Sequence, residues 1–328
     1  MNTQEGLQLV DRDESGVDTA FREDVLKGLS QEQKAVPARW LYDDAGSQLF
    51  EDITQLPEYY PTRAETEILK AQSASFAERI EPGCAVVEFG SGSSVKTPLL
   101  LSATDPAAYV PLDISGDFLR ASAQDLAGKF PNVPVYPVEA DFMRQVELPS
   151  AVANLPKLGF FPGSTIGNMV ARTAVDLLRS MRETLGDGAK LLIGMDLIKD
   201  EAVLEAAYDD AAGVTAEFNY NLIRRINREL EGDISLGNLT HEARWNDEYA
   251  RVEMHLVAQA DLQFTVAGKP FSLAKGASIH TENSHKFNRR TSSMMLLASG
   301  WEPQVRWLDS DEQFSLILAE AKPNRSAP

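Results

Sequence analysis

A glycine-rich turn carries the strongest chemical signal in the sequence. The turn reads Gly90-Ser91-Gly92, and it lies between the apolar run VVEF at 86–89 and residues able to begin a helix. Continuous apolar runs are typical of buried parallel strands, and paired glycines let the backbone approach a ligand closely. The pattern therefore predicts a strand, a turn and a helix that together bind part of a nucleotide.

Acidic residues end the next two apolar runs. Asp113 closes YVPLD about twenty residues after the glycines, where a carboxylate suits ribose hydroxyls. Asp141 closes VYPVEAD and precedes Phe142, so an acid that can hold an adenine amine stands beside an aromatic wall. The dinucleotide fingerprint requires a third glycine, and Val95 occupies that position. The set favours S-adenosylmethionine over NAD as the cofactor.

Glu88 interrupts the first apolar run. A carboxylate that is buried without a partner is costly. We therefore expect Glu88 to face the ligand side of the turn or to meet a partner there.

The composition limits the class of protein. A chain of 328 residues with 43% hydrophobic content is long enough for two globular domains. A net charge of −18 opposes a nucleic-acid partner, because such sites need clustered lysine and arginine. No apolar stretch has the length of a membrane span, and the N-terminus lacks a secretory signal pattern. The single cysteine, Cys84, cannot form an internal disulfide, so we expect a cytoplasmic protein.

Polar and aromatic candidates lie outside the glycine turn. Residues 40–62 contain five aromatic residues, which could simply fill a helical core. The hydroxyls of Tyr42 and Tyr59 need partners if they are buried, so these two tyrosines are candidates for holding a polar ligand. After the strand predicted at 157–161, Asn168 can project its amide over the carboxyl edge of the sheet. Asn168 could equally be a helix N-cap.

The order of the elements predicts two interleaved domains. Five apolar runs alternate with helical patterns and predict a parallel sheet, and two further strands follow near the C-terminus. From residue 199 the pattern changes to a helical tract followed by alternating strands. We predict an α+β substrate-binding domain of residues 1–62 and 199–286 and a Rossmann-like domain of residues 63–198 and 287–328 that binds S-adenosylmethionine. The predicted elements include a helix at 63–80, a third strand at 135–141, a helical tract at 199–230, and a strand at 277–282 that turns into a helix after 283–285.

Several longer motifs resemble those of one family. They are LYDDAGSQLFEDITQLPEYYPTRAETEIL, EFGSGSSVKT, FFPGSTIGNM, AAYDDAAGVTAEFNYNLIRRINREL, HEARWN, RVEMHL and IHTENSHKF. With them, the chain from about Val25 to Lys322 resembles the bacterial histidine Nα-methyltransferases of ergothioneine biosynthesis. The resemblance implies an α/β fold with the seven-stranded sheet of class I methyltransferases. It also implies trimethylation of L-histidine to hercynine with S-adenosylmethionine and no metal.

The same resemblance implies roles for individual residues. Together with the glycine turn, it predicts a cofactor site of Gly90, Ser91, Gly92, Lys96, Asp113, Asp141 and Phe142. Lys96 would neutralise the carboxylate of the cofactor, or it could be an exposed helix lysine. The substrate carboxylate is assigned to Tyr59, Asn168 and Tyr208, and the imidazole to Met254, Glu282 and Ser284. Tyr42 is placed near the amine, and Tyr42, Tyr59 and Asn168 are the predicted catalytic residues.

Some alternatives stay open at the level of the sequence. Ser284 could only cap the helix that follows it, and the proton of the amine could pass to water or to a tyrosine hydroxyl. The histidines His241, His255, His280 and His285 show no metal-ligand spacing. We expect a monomer that binds L-histidine and its mono- and dimethyl forms.

Other functions remain possible on the same fold. The protein could methylate tryptophan or tyrosine, or it could bind S-adenosylmethionine without catalysis. Glu282 argues against the other amino acids, because a carboxylate left unpaired against an apolar ring costs roughly 1 to 3 kcal/mol. The missing third glycine argues against an NAD-dependent dehydrogenase.

Overall fold

Two compact units share the chain. The computed structural model describes residues 16–92, 96–114 and 116–322, so that Val95 lies outside the described residues. Unit 1 comprises Met1–Tyr60 and Lys199–His285, and unit 2 comprises Pro61–Ile198 and Lys286–Pro328. The domain boundaries predicted from the sequence lie within two residues of these limits. The roles that we predicted for the two domains stay predictions.

The described residues form ten helices and thirteen strands. The helices are α1 (Thr19–Leu29), α2 (Asp44–Thr54), α3 (Tyr60–Ala71), α4 (Ser73–Arg79), α5 (Thr97–Thr104), α6 (Gly116–Lys129), α7 (Ala171–Leu185), α8 (Glu201–Ala206), α9 (Val214–Glu229) and α10 (Arg289–Ala298). The strands are β1 (Lys34–Ala35), β2 (Ala85–Phe89), β3 (Ala108–Asp113), β4 (Val138–Glu139), β5 (Lys157–Phe161), β6 (Lys190–Asp196), β7 (Leu239–Asn246), β8 (Arg251–Ala258), β9 (Leu262–Val266), β10 (Lys269–Leu273), β11 (Ser278–His285), β12 (Trp301–Leu308) and β13 (Phe314–Ala321).

A seven-stranded sheet forms the centre of unit 2. Its strand order is β12-β13-β6-β5-β2-β3-β4. The five strands from β2 to β6 run parallel, whereas β13 pairs antiparallel with both β6 and β12. All five residues of β2 are buried, as expected for a central parallel strand. The predicted class I methyltransferase sheet is confirmed.

A four-stranded sheet and a helical layer form unit 1. The strand order is β1-β11-β8-β7, in which only the short β1 runs parallel to its neighbour. Strands β9 and β10 form a separate hairpin. Helix α9 buries Phe218, Leu222 and Ile226, which lie on one face at four-residue spacing, in the core of this unit.

A β-bulge in β11 controls which side chains face that core. Before the bulge His280 is paired with His255 of β8, and after it Glu282 is paired with Met254, so Thr281 is the extra residue. Because side chains alternate along a strand, one extra residue inverts the faces of all the residues that follow. The bulge therefore places Glu282 on the same face as Met254, opposite to His280 and His255.

Two elements of unit 2 differ from the sequence prediction. The helix predicted at 63–80 is divided into α3 and α4 at Gln72. Of the strand predicted at 135–141, only β4 pairs continuously with β3, preceded by an isolated bridge at Val135. Pro137 has no N–H group to donate to a strand ladder, which accounts for the interruption.

Two elements encoded in the region 199–288 also differ. The predicted helical tract is broken between α8 and α9, where Gly213 has a positive φ of 76° and Asp210 accepts hydrogen bonds from the first residues of α9. Strand β11 continues through His285 instead of turning into a helix. The next helix begins only at α10, because Asn288 caps its first N–H groups.

The contact between α1 and β1 depends on the absence of a side chain at Gly28. A Cβ atom there would lie 1.7 Å from the carbonyl oxygen of Ala35. We expect Gly28→Ala to lower the free energy of unfolding by at least about 2 kcal/mol, because the strand backbone would have to move. Gly128→Ala in α6 is the control: nothing lies within 4 Å of its Cβ, so stability should rise by less than about 1 kcal/mol. Urea unfolding measures both, and equal effects would contradict the expected clash.

Candidate active site

The glycine turn after β2 has the backbone that the sequence predicts. Gly90 and Gly92 have positive φ values of 71° and 43°, which residues with a side chain rarely adopt. The N–H groups of Gly90 and Ser91 both donate to the carbonyl oxygen of Leu112, at 2.9 and 3.1 Å. The end of β3 therefore holds the turn in place.

Asp113 lies beside this turn. Its Oδ2 atom accepts a hydrogen bond from the N–H group of Gly92 at 3.3 Å, and its side chain is half-buried. The hydroxyl of Ser122 in α6 donates to the carbonyl oxygen of Gly92 at 3.1 Å. The structure thus brings together the turn and the first of the two predicted acids.

Phe142 forms an aromatic wall on the other side of the turn. A Cβ atom on Gly90 would lie 3.4 Å from Cζ of Phe142, so the ring lies beside the turn and leaves no room for a larger side chain there. Asp141 is exposed, and its Oδ1 atom accepts the N–H group of Met143 at 3.0 Å. The turn, the carboxylates and the ring form a cradle whose chemistry fits a nucleoside.

Glu65 is a residue of this region that the sequence analysis missed. It is fully buried in α3, its carboxylate forms an ion pair with the ammonium group of Lys96, and both of its oxygens accept the N–H group of Gly163, at 3.1 and 2.9 Å. Lys96 is therefore not an exposed helix lysine. The one signal for Glu65 was a carboxylate among the buried apolar residues of a helix, since Ala64, Ile68 and Leu69 surround it in the sequence.

A double-mutant cycle tests this ion pair. Lys96→Met leaves the carboxylate of Glu65 buried without its cation, so we expect a loss of about 3 to 5 kcal/mol in the free energy of unfolding. Adding Glu65→Gln should recover part of that loss, because a neutral amide is less costly to bury. Lys129→Met is the control, since its pair with Asp125 is exposed and should contribute less than about 1 kcal/mol. Additive losses in the cycle would rule out the coupling.

Glu88 has the partners that the sequence analysis expected. It is 2% exposed, and its carboxylate accepts hydrogen bonds from the hydroxyls of Thr97, at 2.6 Å, and Tyr109. Burial raises the pKa of Glu88 to about 7, despite these hydrogen bonds. Glu88 therefore joins β2 to both α5 and β3 through hydroxyl groups.

The raised pKa of Glu88 predicts a pH-dependent stability. Between its ordinary pKa of 4.5 and its folded pKa of about 7, the folded state keeps a proton that the unfolded state has lost. Stability should therefore fall as pH rises through this window, by about 3 kcal/mol at most. Glu88→Gln cannot titrate, so unfolding curves at pH 4.5 and pH 8 should show the variant gaining stability relative to wild type by about that amount. Parallel pH profiles for the two proteins would contradict the assignment.

A pocket of aromatic character lies within unit 1. The space between its lining residues amounts to about 270 Å³, part of which is open to solvent. Residues lining it include Phe50, Tyr59, Tyr208, Phe218, Met254 and Glu282. The carboxylate of Glu282 is the one acidic group among the pocket's lining residues, and the residue is only 7% exposed.

The predicted substrate residues of unit 1 meet at this pocket. The bulge turns Glu282 toward Met254, and the hydroxyl of Tyr208 is hydrogen-bonded to that of Ser284 at 2.7 Å. The rings of Tyr59 and Tyr208 are 6.1 Å apart. Ser284 lies within β11, and the cap of α10 is Asn288, so the alternative of Ser284 as a helix cap is wrong.

Tyr42 belongs to the same aromatic cluster. Its ring packs edge-on against Phe218 at 5.3 Å and against Phe50 at 5.6 Å, both of which line the pocket. The residue after Tyr42, Asp43, is fixed by two hydrogen bonds. Its carboxylate accepts the N–H group of Gly46, which caps α2, and it accepts the amide of Asn221 at 2.6 Å. Tyr42 is thus held close to the pocket by residues on both sides.

His241 positions Tyr208, which the sequence analysis did not foresee. Its Nε2 atom lies 2.8 Å from the carbonyl oxygen of Tyr208, and its Nδ1 atom lies 2.9 Å from Nδ2 of Asn219. A carbonyl only accepts and an amide nitrogen only donates, so His241 carries its proton on Nε2. Burial lowers the pKa of His241 and favours this neutral form. The imidazole therefore fixes the loop between α8 and α9.

Asn168 lies in unit 2, at the end of a short 3₁₀ turn, Thr165–Asn168, that follows β5. It is half-buried, and the N-cap of α7 is Val170, so the alternative of Asn168 as the cap of that helix is wrong. Ser164 begins the turn with a positive φ of 55°, and its hydroxyl accepts the N–H group of Asp196 at 2.9 Å. The loop that carries Asn168 is therefore fixed to the end of β6.

Comparison with known proteins identifies the family. The family model described as "Histidine-specific methyltransferase, SAM-dependent" matches residues 21–321. The chain belongs to this family. The resemblance inferred from the motifs is confirmed, and the protein is an S-adenosylmethionine-dependent methyltransferase. Among the helices of the described residues, none has the length and apolar character needed to cross a membrane.

Relatives extend over most of the chain. The chain is 38% identical over 310 residues to the histidine N-alpha-methyltransferase of Mycolicibacterium smegmatis, covering 92% of this chain and 94% of the relative. It is 39% identical over 307 residues to the protein of the same description from Mycobacterium tuberculosis, with the same two coverages. Ergothioneine biosynthesis protein 1 of Neurospora crassa is 30% identical over 304 residues, which cover 88% of this chain and 33% of that longer protein.

Proposed function

We propose that this methyltransferase transfers methyl groups to the α-amine of L-histidine and continues to the trimethylated product hercynine, the first step of ergothioneine biosynthesis. The observation that carries the proposal is the buried carboxylate of Glu282 in a pocket lined mainly by aromatic and aliphatic side chains. The names of the mycobacterial relatives support the same substrate.

The pocket chemistry favours an imidazole ring. An imidazole presents two nitrogens, so the carboxylate of Glu282 can accept from one and the hydroxyl of Ser284 can serve the other. Ser284 is hydrogen-bonded to Tyr208, and a hydroxyl can both donate and accept. Met254, directly across from Glu282, supplies an adaptable apolar contact. A phenyl ring has no N–H group to donate to the buried carboxylate, and an indole has only one.

We assign the carboxylate of the substrate to neutral donors. Tyr59 and Tyr208 are 7% and 8% exposed, and both line the pocket, so that their hydroxyls are suited to a buried anion. Asn168 belongs to unit 2, and its proposed contact with the same carboxylate rests on the resemblance of FFPGSTIGNM to the family motif. Tyr42 is proposed to lie near the amine. Its hydroxyl, that of Tyr59 or water would accept the proton.

We propose unit 2 as the cofactor-binding domain and unit 1 as the substrate-binding domain. Asp113 would hold the ribose hydroxyls, and Asp141 with Phe142 would hold the adenine beside the glycine turn. Lys96, oriented by Glu65, would face the carboxylate of the cofactor. When bound, S-adenosylmethionine supplies an electrophilic methyl group on its sulfonium. The task left to the chain is to orient the amine and exclude water, which contributes several kcal/mol to catalysis.

Successive methylation constrains how the amine is held. Each added methyl group removes an N–H donor and increases the bulk at nitrogen, so a site that grips the amine through several hydrogen bonds would stop early. In the proposed arrangement the ring and the carboxylate are the anchored groups. The walls near Tyr42 are aromatic rings, Phe50 and Phe218, which tolerate a growing apolar cation.

The proposed setting is the cytoplasm, and the proposed state is a monomer. The single cysteine, Cys84, is buried and free, and burial raises its pKa to about 11, which makes it an unreactive thiol. Sedimentation of the purified protein over a range of concentrations measures the oligomeric state directly.

A competition assay tests the substrate assignment. Wild type and Glu282→Gln are offered equal histidine, tyrosine and tryptophan with S-adenosylmethionine, and methylated products are counted by mass spectrometry. We expect wild type to trimethylate histidine, and the variant to lose at least about tenfold in activity on it, equivalent to about 1.4 kcal/mol, because the ring loses a charged acceptor.

Glu217→Gln is the matched control, since Glu217 is an exposed residue of α9 in an ion pair with Arg224. Its product distribution should equal that of wild type. If Glu282→Gln also gave the product ratio of wild type, Glu282 would not select the ring. A wild type that methylated another amino acid in preference to histidine would overturn the substrate itself.

A further inference from the structure

Three metal-ligating side chains meet on the face of β8 and β11 opposite to the pocket. Glu253, His255 and His280 each present one ligand atom, and these atoms all lie within 4.8 Å of one another. The rings of His255 and His280 are stacked, with centroids 4.6 Å apart and planes inclined by 16°. We propose that these three residues form a binding site for a divalent transition-metal ion such as Zn²⁺.

Spacing along the sequence does not reveal this group, because its members come together across paired strands. His255 and His280 are direct partners in the register of β8 and β11, and Glu253 precedes His255 by two residues, on the same face. The bulge at Thr281 separates this face from the pocket, because it directs Glu282 to the other side.

His280 is oriented as metal-bound histidines commonly are. Its Nε2 atom lies 2.9 Å from the carbonyl oxygen of Glu282. A carbonyl only accepts, so Nε2 carries the proton and Nδ1 keeps its lone pair for a metal. In metal sites the ring nitrogen that does not bind the metal typically donates its N–H to a backbone carbonyl or a carboxylate, as Nε2 of His280 does here.

His255 can release a lone pair without losing its other contact. Its Nε2 atom is 3.0 Å from Oε2 of Glu253, and its Nδ1 atom is 3.0 Å from the hydroxyl of Ser278. At present the carboxylate accepts from Nε2 and the hydroxyl donates to Nδ1. Because a hydroxyl can also accept, the ring can hold its proton on Nδ1 instead. The Nε2 lone pair and the Oε2 atom of Glu253, 3.0 Å apart, would then serve one ion, and the stacked ring of His280 joins them by rotating until its plane meets that ion.

The protonation states suit coordination at neutral pH. Burial lowers the pKa of His255 to about 4 and also lowers the pKa of His280, so both rings are neutral. Burial by itself would raise the pKa of Glu253, but hydrogen bonds from His255 and Arg251 hold it at about 2.

The types of ligand set the class of ion, and the neighbouring charges limit the affinity of the site. Arg251 donates to Oε1 of Glu253 at 2.7 Å, which orients the carboxylate and leaves Oε2 for the ion. Arg244 also acts electrostatically on His255, so two cations oppose the binding of a third. Two imidazoles and one carboxylate suit zinc, copper or nickel, with water completing the shell. We expect a site that fills at micromolar concentrations, and not a permanent structural centre.

Titration of the tag-free protein with Zn²⁺ after chelator treatment tests the proposal. Calorimetry should show one equivalent of Zn²⁺ bound. His280→Ala and His255→Ala should each raise the dissociation constant for Zn²⁺ by at least tenfold. His285→Ala, on the same strand and outside the cluster, is the matched control and should leave the affinity within twofold of wild type. Circular dichroism shows whether each variant is folded.

A copper readout identifies the ligands themselves. Electron paramagnetic resonance of the protein with one equivalent of Cu²⁺ should show two coordinated nitrogens in wild type and in His285→Ala, and fewer in His280→Ala. His255 is buried, so if His255→Ala does not fold, the half-buried His280 decides the outcome alone. Absence of Zn²⁺ binding by wild type, or affinity that His280→Ala does not change, would overturn the proposal.

Discussion

The extra residue Thr281 in β11 determines the chemistry of both faces of the sheet in unit 1. If Thr281 took a regular place in the ladder opposite Met254, Glu282 would lie opposite Glu253, so that two carboxylates would face each other and the pocket would contain no acid. The hydroxyl of Thr281 donates to the carbonyl oxygen of Met254 at 3.1 Å, which anchors the extra residue to β8. A single backbone irregularity thus places a charge where an amino-acid side chain can be selected by its hydrogen bonds.

Unit 2 uses buried charges to fix the loops at the carboxyl end of its sheet. Glu65 is neutralised by Lys96 and holds the loop at Gly163, whereas Asp196 is neutralised by Lys286 at 2.7 Å, with both side chains almost fully buried. Such pairs contribute little net stability, but removing one partner is costly, so they enforce one arrangement of the loops. The turn, the loop and the end of β6 are therefore preorganised by ionic contacts, as a binding site requires.

Much of the fold could be predicted because its signals are local. Strand β5 has the limits, 157–161, that its apolar run indicates, and the glycine turn with Asp113 follows from residue types at fixed spacing. The substrate residues came from resemblance to family motifs, and the structure brings those of unit 1 together. What could not be predicted depends on register and on distant pairs. The bulge in β11, the ion pair of Glu65 with Lys96, and the contact of His241 with Tyr208 join residues that carry no signal of each other.

The interleaving of the two units has a consequence for synthesis of the protein. Strand β1 pairs with β11 through Lys34 and Ile279, which are 245 residues apart, so the N-terminal segment of unit 1 waits for most of the chain to leave the ribosome. Unit 2 waits as well, because β13 inserts between β6 and β12 and is the last strand made. Neither unit can be completed co-translationally before the other is well advanced. The nascent chain therefore exposes the apolar faces of α1 and of the parallel strands for an extended period, and chaperones would act on it at that stage.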